Sequence, residues 1–271
     1  MSLTRNACAA GLVALAASVA PVSAQGTGGE LDVYHQMLSD PFANPAWFAV
    51  DRGEELWVTA AGPKNATLEA CDLGLGAGVV AGAYAQLPRY FADVDRVMDA
   101  DTRIAWCRED LQGIPFEETA KAAFSKNRAD SEMQDLTMYV AAQSEEMAIS
   151  IPAEHAKEKE AIAIGEELFF RRSSLLDYSC ATCHSNTGAR IRLQELSNLT
   201  EPEEAGPVMA SWPTYRVSHE TSRTMQHRMW DCQWQMRQPD IAFGSDATIA
   251  LIAYMNNLAE GTPMSSPSLK R

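Results

Sequence analysis

Apolar residues recur at helical spacing in three stretches of the chain, and no stretch alternates apolar and polar residues long enough to predict a sheet. The predicted helices lie over residues 133–142, 158–170 and 246–258, and the last of them stops before Gly261. The tail over residues 263–271 is rich in serine and proline and is expected to be loose. The pattern therefore predicts a mainly α-helical (all-α) protein.

The N-terminus has a different pattern. Arg5 precedes an apolar run from Ala9 to Val19, and Val22-Ser23-Ala24 follows as a small-residue cleavage site. This arrangement is typical of a secretory signal peptide over residues 1–24, and the run is too short for a membrane span. We therefore expect an exported, periplasmic protein that is not inserted in a membrane.

The charge balance limits the partners. The chain has a net charge of −14, and removal of the signal leaves 21 basic against 36 acidic residues. Such an acidic protein is not expected to bind nucleic acid or an anionic membrane surface. A basic protein partner or electron acceptor suits it better. The remaining length of about 247 residues suggests one large domain or two small ones.

The most specific motif lies between Tyr178 and Asn186. Here Cys180, Cys183 and His184 form C-x-x-C-H, the attachment signature of a c-type haem. Each thiol can form a thioether to the porphyrin, and the histidine can bind the iron. A zinc site would need two more ligands at similar spacing, and a thioredoxin-like pair would need a βαβ pattern. Neither follows, so we predict one covalent haem c.

The two halves of the chain resemble each other. Gly53–Trp57 (Gly-Glu-Glu-Leu-Trp) matches Gly165–Phe169 (Gly-Glu-Glu-Leu-Phe) at an offset of 112 residues (165 − 53). Four more matches share an offset of 125 residues (232 − 107): Pro88, Tyr90, Arg103 and Cys107 with Pro213, Tyr215, Arg228 and Cys232. Several matches in one order favour an internal duplication over chance similarity.

The first offset also places Cys71 on the second cysteine of the haem motif. Leu68 and Asp72 then stand where the motif has its first cysteine and its histidine. The first half thus resembles a haem site that has lost one thioether and its axial ligand. We predict two cytochrome c-like domains, a haem-free one over residues 25–150 and a haem-binding one over residues 151–271.

Five cysteines remain after signal removal, and the haem takes two. In the haem-free half, Cys71 and Cys107 would be left close together, and an oxidising compartment favours a disulfide over two buried thiols. By the same symmetry Cys232 would face the haem as the distal iron ligand, opposite His184. Other side chains could take that place: Met209, Met225, Met229, Met236, Met264, His219 and His227.

Arg228 lies four residues before Cys232, which puts both on one face if the segment is helical. A guanidinium there favours the thiolate and can bind an anion, although it could instead pair with a haem propionate. Asp231 has the opposite charge, but it directly precedes the cysteine and is expected to point elsewhere. The segment therefore combines a cation and a sulfur beside a haem.

These motifs resemble the SoxA family, the cytochrome subunit of the SoxAX complex of bacterial sulfur oxidation, in its single-haem form. The similarity spans nearly the whole mature chain. Besides the haem motif, its strongest pieces are Asp72–Gly76, Leu87–Phe91, Trp212–Arg216 and Arg228–Cys232. The resemblance implies a heterodimer with a small SoxX-type cytochrome.

The resemblance also implies an activity, in which thiosulfate is joined to a cysteine of the SoxYZ carrier and two electrons pass to a cytochrome c acceptor. It implies that Cys232 carries a persulfide and is catalytic, and that Arg228 binds substrate. Arg192 and Arg216 are further candidates for the substrate site. Three alternatives remain: a thiosulfate dehydrogenase that forms tetrathionate, a purely electron-transfer cytochrome, and a binding or assembly subunit.

Overall fold

The computed structural model confirms a mainly helical fold. It describes residues 40, 43–124, 131–191 and 194–270. The predicted signal peptide and Arg192 lie outside the described residues. Within the described ranges, no helix is both long and apolar enough to cross a membrane.

The predicted helices correspond to α4, α5 and α9 of the structure. The helices of the described part of the chain are α1 Ala46–Val58, α2 Ala100–Cys107, α3 Phe116–Ala123, α4 Glu132–Ala142, α5 Ala156–Phe170, α6 Cys180–His184, α7 Pro202–Ala210, α8 Met225–Gln235 and α9 Asp246–Leu258. The strands are β1 Arg89–Phe91, β2 Arg96–Met98, β3 Arg190–Ile191, β4 Gln194–Glu195, β5 Thr214–Arg216, β6 Thr221–Arg223 and β7 Ser268–Lys270.

Two closely packed helix pairs form the framework, α1 on α4 and α5 on α9. The two helices of each pair come closest to each other at a glycine. A Cβ atom at Gly53 would lie 2.1 Å from the backbone oxygen of Asp135, and one at Gly165 would lie 2.0 Å from that of Ala250. Only glycine permits such an approach. The same crossing therefore occurs twice, which supports the predicted duplication.

Each half also contains a hairpin followed by a helix. These are the first and second hairpin–helix units, β1–β2–α2 and β5–β6–α8, whose elements start 125 residues apart (214 − 89). Their registers match, since Arg89 pairs with Met98 as Thr214 pairs with Arg223. Strands of three residues are too short for alternation to be recognised, so the sequence did not predict these hairpins.

The two units contact each other reciprocally at the N-termini of their helices. Asp99 and Thr224 are the N-caps of α2 and α8. Gln226 donates to both carboxylate oxygens of Asp99, at 2.9 and 2.7 Å, while the side chain of Thr224 hydrogen-bonds Asp101. At the offset of 125, Gln226 corresponds to Asp101 and Thr224 to Asp99. Such an isologous contact is what an approximate two-fold axis produces.

A disulfide joins the first unit to the loop that corresponds to the haem motif. The sulfur atoms of Cys71 and Cys107 are bonded, with their Cα atoms 5.7 Å apart. Leu68, at the position of the motif's first cysteine, is buried in the same apolar cluster. The predicted disulfide is therefore present, and the alternative of two free thiols is wrong.

The C-terminal tail is held in the fold, so the expectation of a loose tail was wrong. β7 adds to β5 as a parallel strand, with Lys270 paired to Arg216. Leu269 is buried, and the Ser266 hydroxyl donates to the Pro213 carbonyl oxygen at 2.8 Å. The two apolar residues of the tail, Met264 and Leu269, show no periodicity, which is why the pattern did not reveal this strand.

Candidate functional site

A cavity of about 580 Å³ opens between α6, α8 and the β5–β6 hairpin. Its volume lies within the range of about 300–1,000 Å³ that is usual for cofactor and ligand sites. Much of its wall is apolar, with side chains from α5, α7 and α9. The predicted haem- and substrate-binding residues that the structure describes all line this one cavity: Cys180, Cys183, His184, Arg216, Arg228 and Cys232.

The haem motif forms the short helix α6. The Ser179 hydroxyl caps it by accepting a hydrogen bond from the backbone nitrogen of Thr182 at 3.2 Å. Cys180 and Cys183 are both free thiols that line the cavity. The pKa of Cys180 is raised to about 11, and burial is the largest cause. The turn thus presents two thiols at the spacing that thioether bonds to a porphyrin require.

The hydrogen bond of His184 defines which ring nitrogen is free. Its Nδ1 lies 3.0 Å from the backbone oxygen of Ser197. A carbonyl oxygen only accepts, so Nδ1 carries the hydrogen and Nε2 remains free to bind a metal. Burial lowers the pKa of His184 below its ordinary value, with the bond to Ser197 opposing it. The ring is therefore kept in the neutral form that coordinates iron.

Arg228 and Cys232 lie on α8, as predicted, and both side chains reach the cavity. Burial raises the pKa of the Cys232 thiol, while Arg228 acts in the opposite direction. Arg228 therefore favours the thiolate, but burial outweighs it. A metal ion bound to this sulfur would remove the proton outright.

The expectation that Asp231 points away from the site was wrong. Its carboxylate lies 3.4 Å from the Arg228 guanidinium and lines the same cavity. The reason is that the two residues are three positions apart on a helix and so share a face. Asp231 adds a negative charge that raises the pKa of Cys232.

The structure excludes two of the side chains that could replace Cys232 as the distal iron ligand. Among the described residues, His227 and Met264 do not line the cavity. His227 is buried against the first half, where its Nδ1 lies 2.9 Å from the side-chain nitrogen of Gln134. Four methionines and one histidine remain within the cavity wall: Met209, Met225, Met229, Met236 and His219.

Three positively charged side chains lie around the mouth of the cavity. Arg216 has a buried Nε without a hydrogen-bond partner in the described structure. Burial, and then Arg228, lower the pKa of Arg216. Burial, and then Arg216 and Arg228, lower the pKa of Lys270. Sequence reasoning missed Lys270, because nothing in the chain links residue 270 to residue 216 before the β5–β7 pairing is known.

The residues of the cavity fit a haem c. Two free thiols, a neutral histidine with an available Nε2 and the sulfur of Cys232 share one largely apolar space. No group of three or more His, Cys, Asp or Glu side chains suited to a metal ion occurs within the described ranges. The helical fold and this site define the class of a c-type cytochrome.

Comparison with known proteins identifies the family. The family model of the SoxA/TsdA cytochrome c domain matches residues 52–149. The L-cysteine S-thiosulfotransferase subunit SoxA of Hydrogenophilus thermoluteolus is 44% identical over 89% of this chain and 87% of its own length. A SoxA subunit of Hydrogenobacter thermophilus is 32% identical over 82% of this chain and 80% of its own length. The chain belongs to the SoxA family.

A solved structure shows the same fold. The crystal structure of SoxXA from P. pantotrophus matches with a TM-score of 0.72 and 25% sequence identity, over 89% of this chain and 84% of the matched chain. The cytochrome c family model covers the first half of this chain, which has no C-x-x-C-H motif. That match supports a cytochrome c-like origin for the first half.

Proposed function

We propose that this protein is the SoxA-type subunit of an L-cysteine S-thiosulfotransferase, a periplasmic cytochrome with one covalent haem c. The observation that carries this proposal is that Arg228 and Cys232 share one cavity with the C-x-x-C-H turn. The names of the relatives support the activity. The matched SoxXA structure supports a SoxX-type subunit as partner.

The reaction joins thiosulfate to a cysteine thiol of a SoxYZ-type carrier. The carrier thiol loses its proton, and its sulfur bonds to the terminal sulfur of thiosulfate. Each conjugate formed releases one proton and two electrons. When bound, the haem supplies a one-electron carrier that passes these electrons, one at a time, to a cytochrome c acceptor.

The protein's own side chains have separate tasks in this proposal. Cys180 and Cys183 would hold the haem, and His184 and Cys232 would bind its iron. Cys232 is the sulfur beside which thiosulfate would meet the carrier thiol, and the persulfide that the resemblance implies on it stays a prediction. Arg228, with Arg216, binds the thiosulfate anion beside it by charge-assisted hydrogen bonds. The partly buried position strengthens these contacts.

Product analysis tests the proposal. The exported heterodimer is supplied with thiosulfate, the carrier and an oxidised cytochrome c, and the carrier is analysed by intact mass. We expect the carrier to gain one S–SO₃ group for every two equivalents of cytochrome reduced. Rapid formation of tetrathionate without the carrier would instead establish a thiosulfate dehydrogenase. Reduction of the acceptor without either product would leave an electron-transfer cytochrome.

A further inference from the structure

The C-terminal strand β7 is an addition that the first half does not share. In the described structure β1 and β2 form a two-stranded sheet, whereas β5 and β6 form a three-stranded sheet with β7. The tail is fixed by its own polar contacts, including the bond from the Ser268 hydroxyl to the Ser211 carbonyl oxygen at 2.6 Å. The added strand therefore ends at a defined position, with Lys270 as its last residue.

That position is directly beside the cavity. Lys270 pairs in register with Arg216, whose side chain lines the cavity. Paired residues of neighbouring strands project from the same face of a sheet. Lys270 is half-buried, and no carboxylate of the described residues forms an ion pair with it. Burial, and then Arg216 and Arg228, lower its pKa.

The charges of this cluster do not cancel. Among the described residues, Arg216 and Arg228 are cations that line the cavity, Lys270 pairs with Arg216, and Asp231 is the one acidic side chain in the cavity wall. His219 also lines the cavity, but burial and the neighbouring arginines lower its pKa, so it adds no charge at neutral pH. A half-buried cluster with more positive than negative side chains, in a protein of net charge −14, favours an anionic partner.

We propose that Lys270 is a specificity-determining residue that, with Arg216 and Arg228, binds the doubly charged substrate anion. The sulfonate oxygens of the substrate would accept hydrogen bonds from the ammonium and guanidinium groups. This inference rests on the proposed function, because it takes thiosulfate as the dianion.

Replacement of Lys270 by methionine tests the role without removing the apolar stem of the side chain. In the haem-loaded heterodimer, we expect Lys270→Met to raise KM for thiosulfate about 10-fold and to leave kcat and the haem spectrum unchanged. Lys270→Arg should restore most of the affinity. Lys159→Met, which removes an exposed lysine of α5, is the matched control and should keep the wild-type KM.

A second measurement is independent of turnover. Sulfate is an unreactive dianion, and its binding should raise the Tm of the wild-type protein and of Lys159→Met, but much less that of Lys270→Met. If sulfate gives this pattern but no thiosulfate is conjugated to the carrier, the anion site is supported and the proposed function is wrong. An unchanged KM together with equal stabilisation by sulfate in all variants would overturn the role of Lys270. A change confined to KM for the carrier would also overturn it.

Discussion

The two hairpin–helix units hold an arginine and a cysteine at the same positions, but the first unit uses both for its structure. The Arg103 guanidinium lies over the rings of Phe91 and Trp106, 4.0 and 4.1 Å from their centroids. It also donates to the Asp93 carboxylate at 2.8 Å. Cys107 is bonded in the disulfide. Neither side chain is left to bind a ligand.

Arg103 also contacts the segment that corresponds to the haem motif. Its Nε donates to the backbone oxygen of Asp72 at 2.7 Å. Asp72 stands where the second half has the histidine of the haem motif, at the offset of 112. The side chain of Arg103 is almost fully buried, with 3% of its surface exposed. A cavity of about 400 Å³ lies beside this side chain, but the aromatic and acidic contacts hold the arginine in place.

In the second unit the corresponding neighbours leave the arginine available. Arg228 keeps one weak contact, 3.4 Å from Asp231, and a third of its side chain is exposed. Arg216 stands where the first unit has Phe91 (216 − 91 = 125). Where the first unit has an aromatic ring, the second unit therefore has a second cation. The two units share the Arg-x-x-x-Cys spacing and differ in the neighbours of the arginine.

The cysteines provide the largest test of this comparison. We expect Cys232→Ala to lower the rate of carrier conjugation about 10³-fold or more, because the sulfur beside the haem is lost. The matched double variant Cys71→Ala/Cys107→Ala should keep its activity while folded. It should lose about 4 kcal/mol of unfolding free energy, since the disulfide closes a separation of 36 residues.

Conjugation is followed by intact mass of the carrier, and stability by thermal unfolding. A Cys232→Ala variant that works at the wild-type rate would end the assignment of Cys232 as catalytic. A double variant that is as stable as the wild type would show that the first unit does not depend on its disulfide.

The arginines provide the second test. Arg228→Met should lower kcat/KM for thiosulfate about 10- to 100-fold, because a charge-assisted bond to the anion is lost, with little change in stability. Arg103→Met should do the opposite, costing about 2 kcal/mol of stability through its aromatic and ionic contacts and leaving kcat/KM unchanged. Urea unfolding and initial rates measure both, and equal effects of the two variants on activity would contradict the comparison.

The contact between the units provides the smallest test, through pH. Burial raises the pKa of Asp101 to about 7, above its ordinary value of 3.8. The folded protein then binds a proton that the unfolded chain releases, so stability falls as pH rises from about 4 to 7. The slope from this one group approaches about 1.4 kcal/mol per pH unit.

The second unit has the neutral Gln226 at the position of Asp101. Asp101→Asn makes the two units alike in charge at this position and should flatten this slope, as measured by urea unfolding at pH 5 and pH 7. Thr119→Ser, a conservative change elsewhere in the first half, should keep it. An unaltered slope in Asp101→Asn would assign the pH dependence to other groups, such as Asp99, whose pKa burial also raises.

Sequence reasoning succeeded where a local pattern determines the structure. The C-x-x-C-H spacing located the cavity turn, apolar periodicity gave α9 its bounds from Asp246 to Leu258, and the offsets between the halves paired Cys71 with Cys107. It failed where the determining contact is distant in the chain. The position of Lys270 depends on a strand pairing across 54 residues (270 − 216), which no local pattern encodes.

The reciprocal contact between the units has a consequence for dividing the chain. Gln226, fully buried at the start of α8, has Asp99 as its partner, and the neighbouring His227 has Gln134. A fragment that begins at residue 151 would expose this helix end and remove the partners that both side chains have in the first half. Gln226 would keep its bond from the backbone nitrogen of Gly244. We therefore expect the half with the haem motif not to fold stably without the first half.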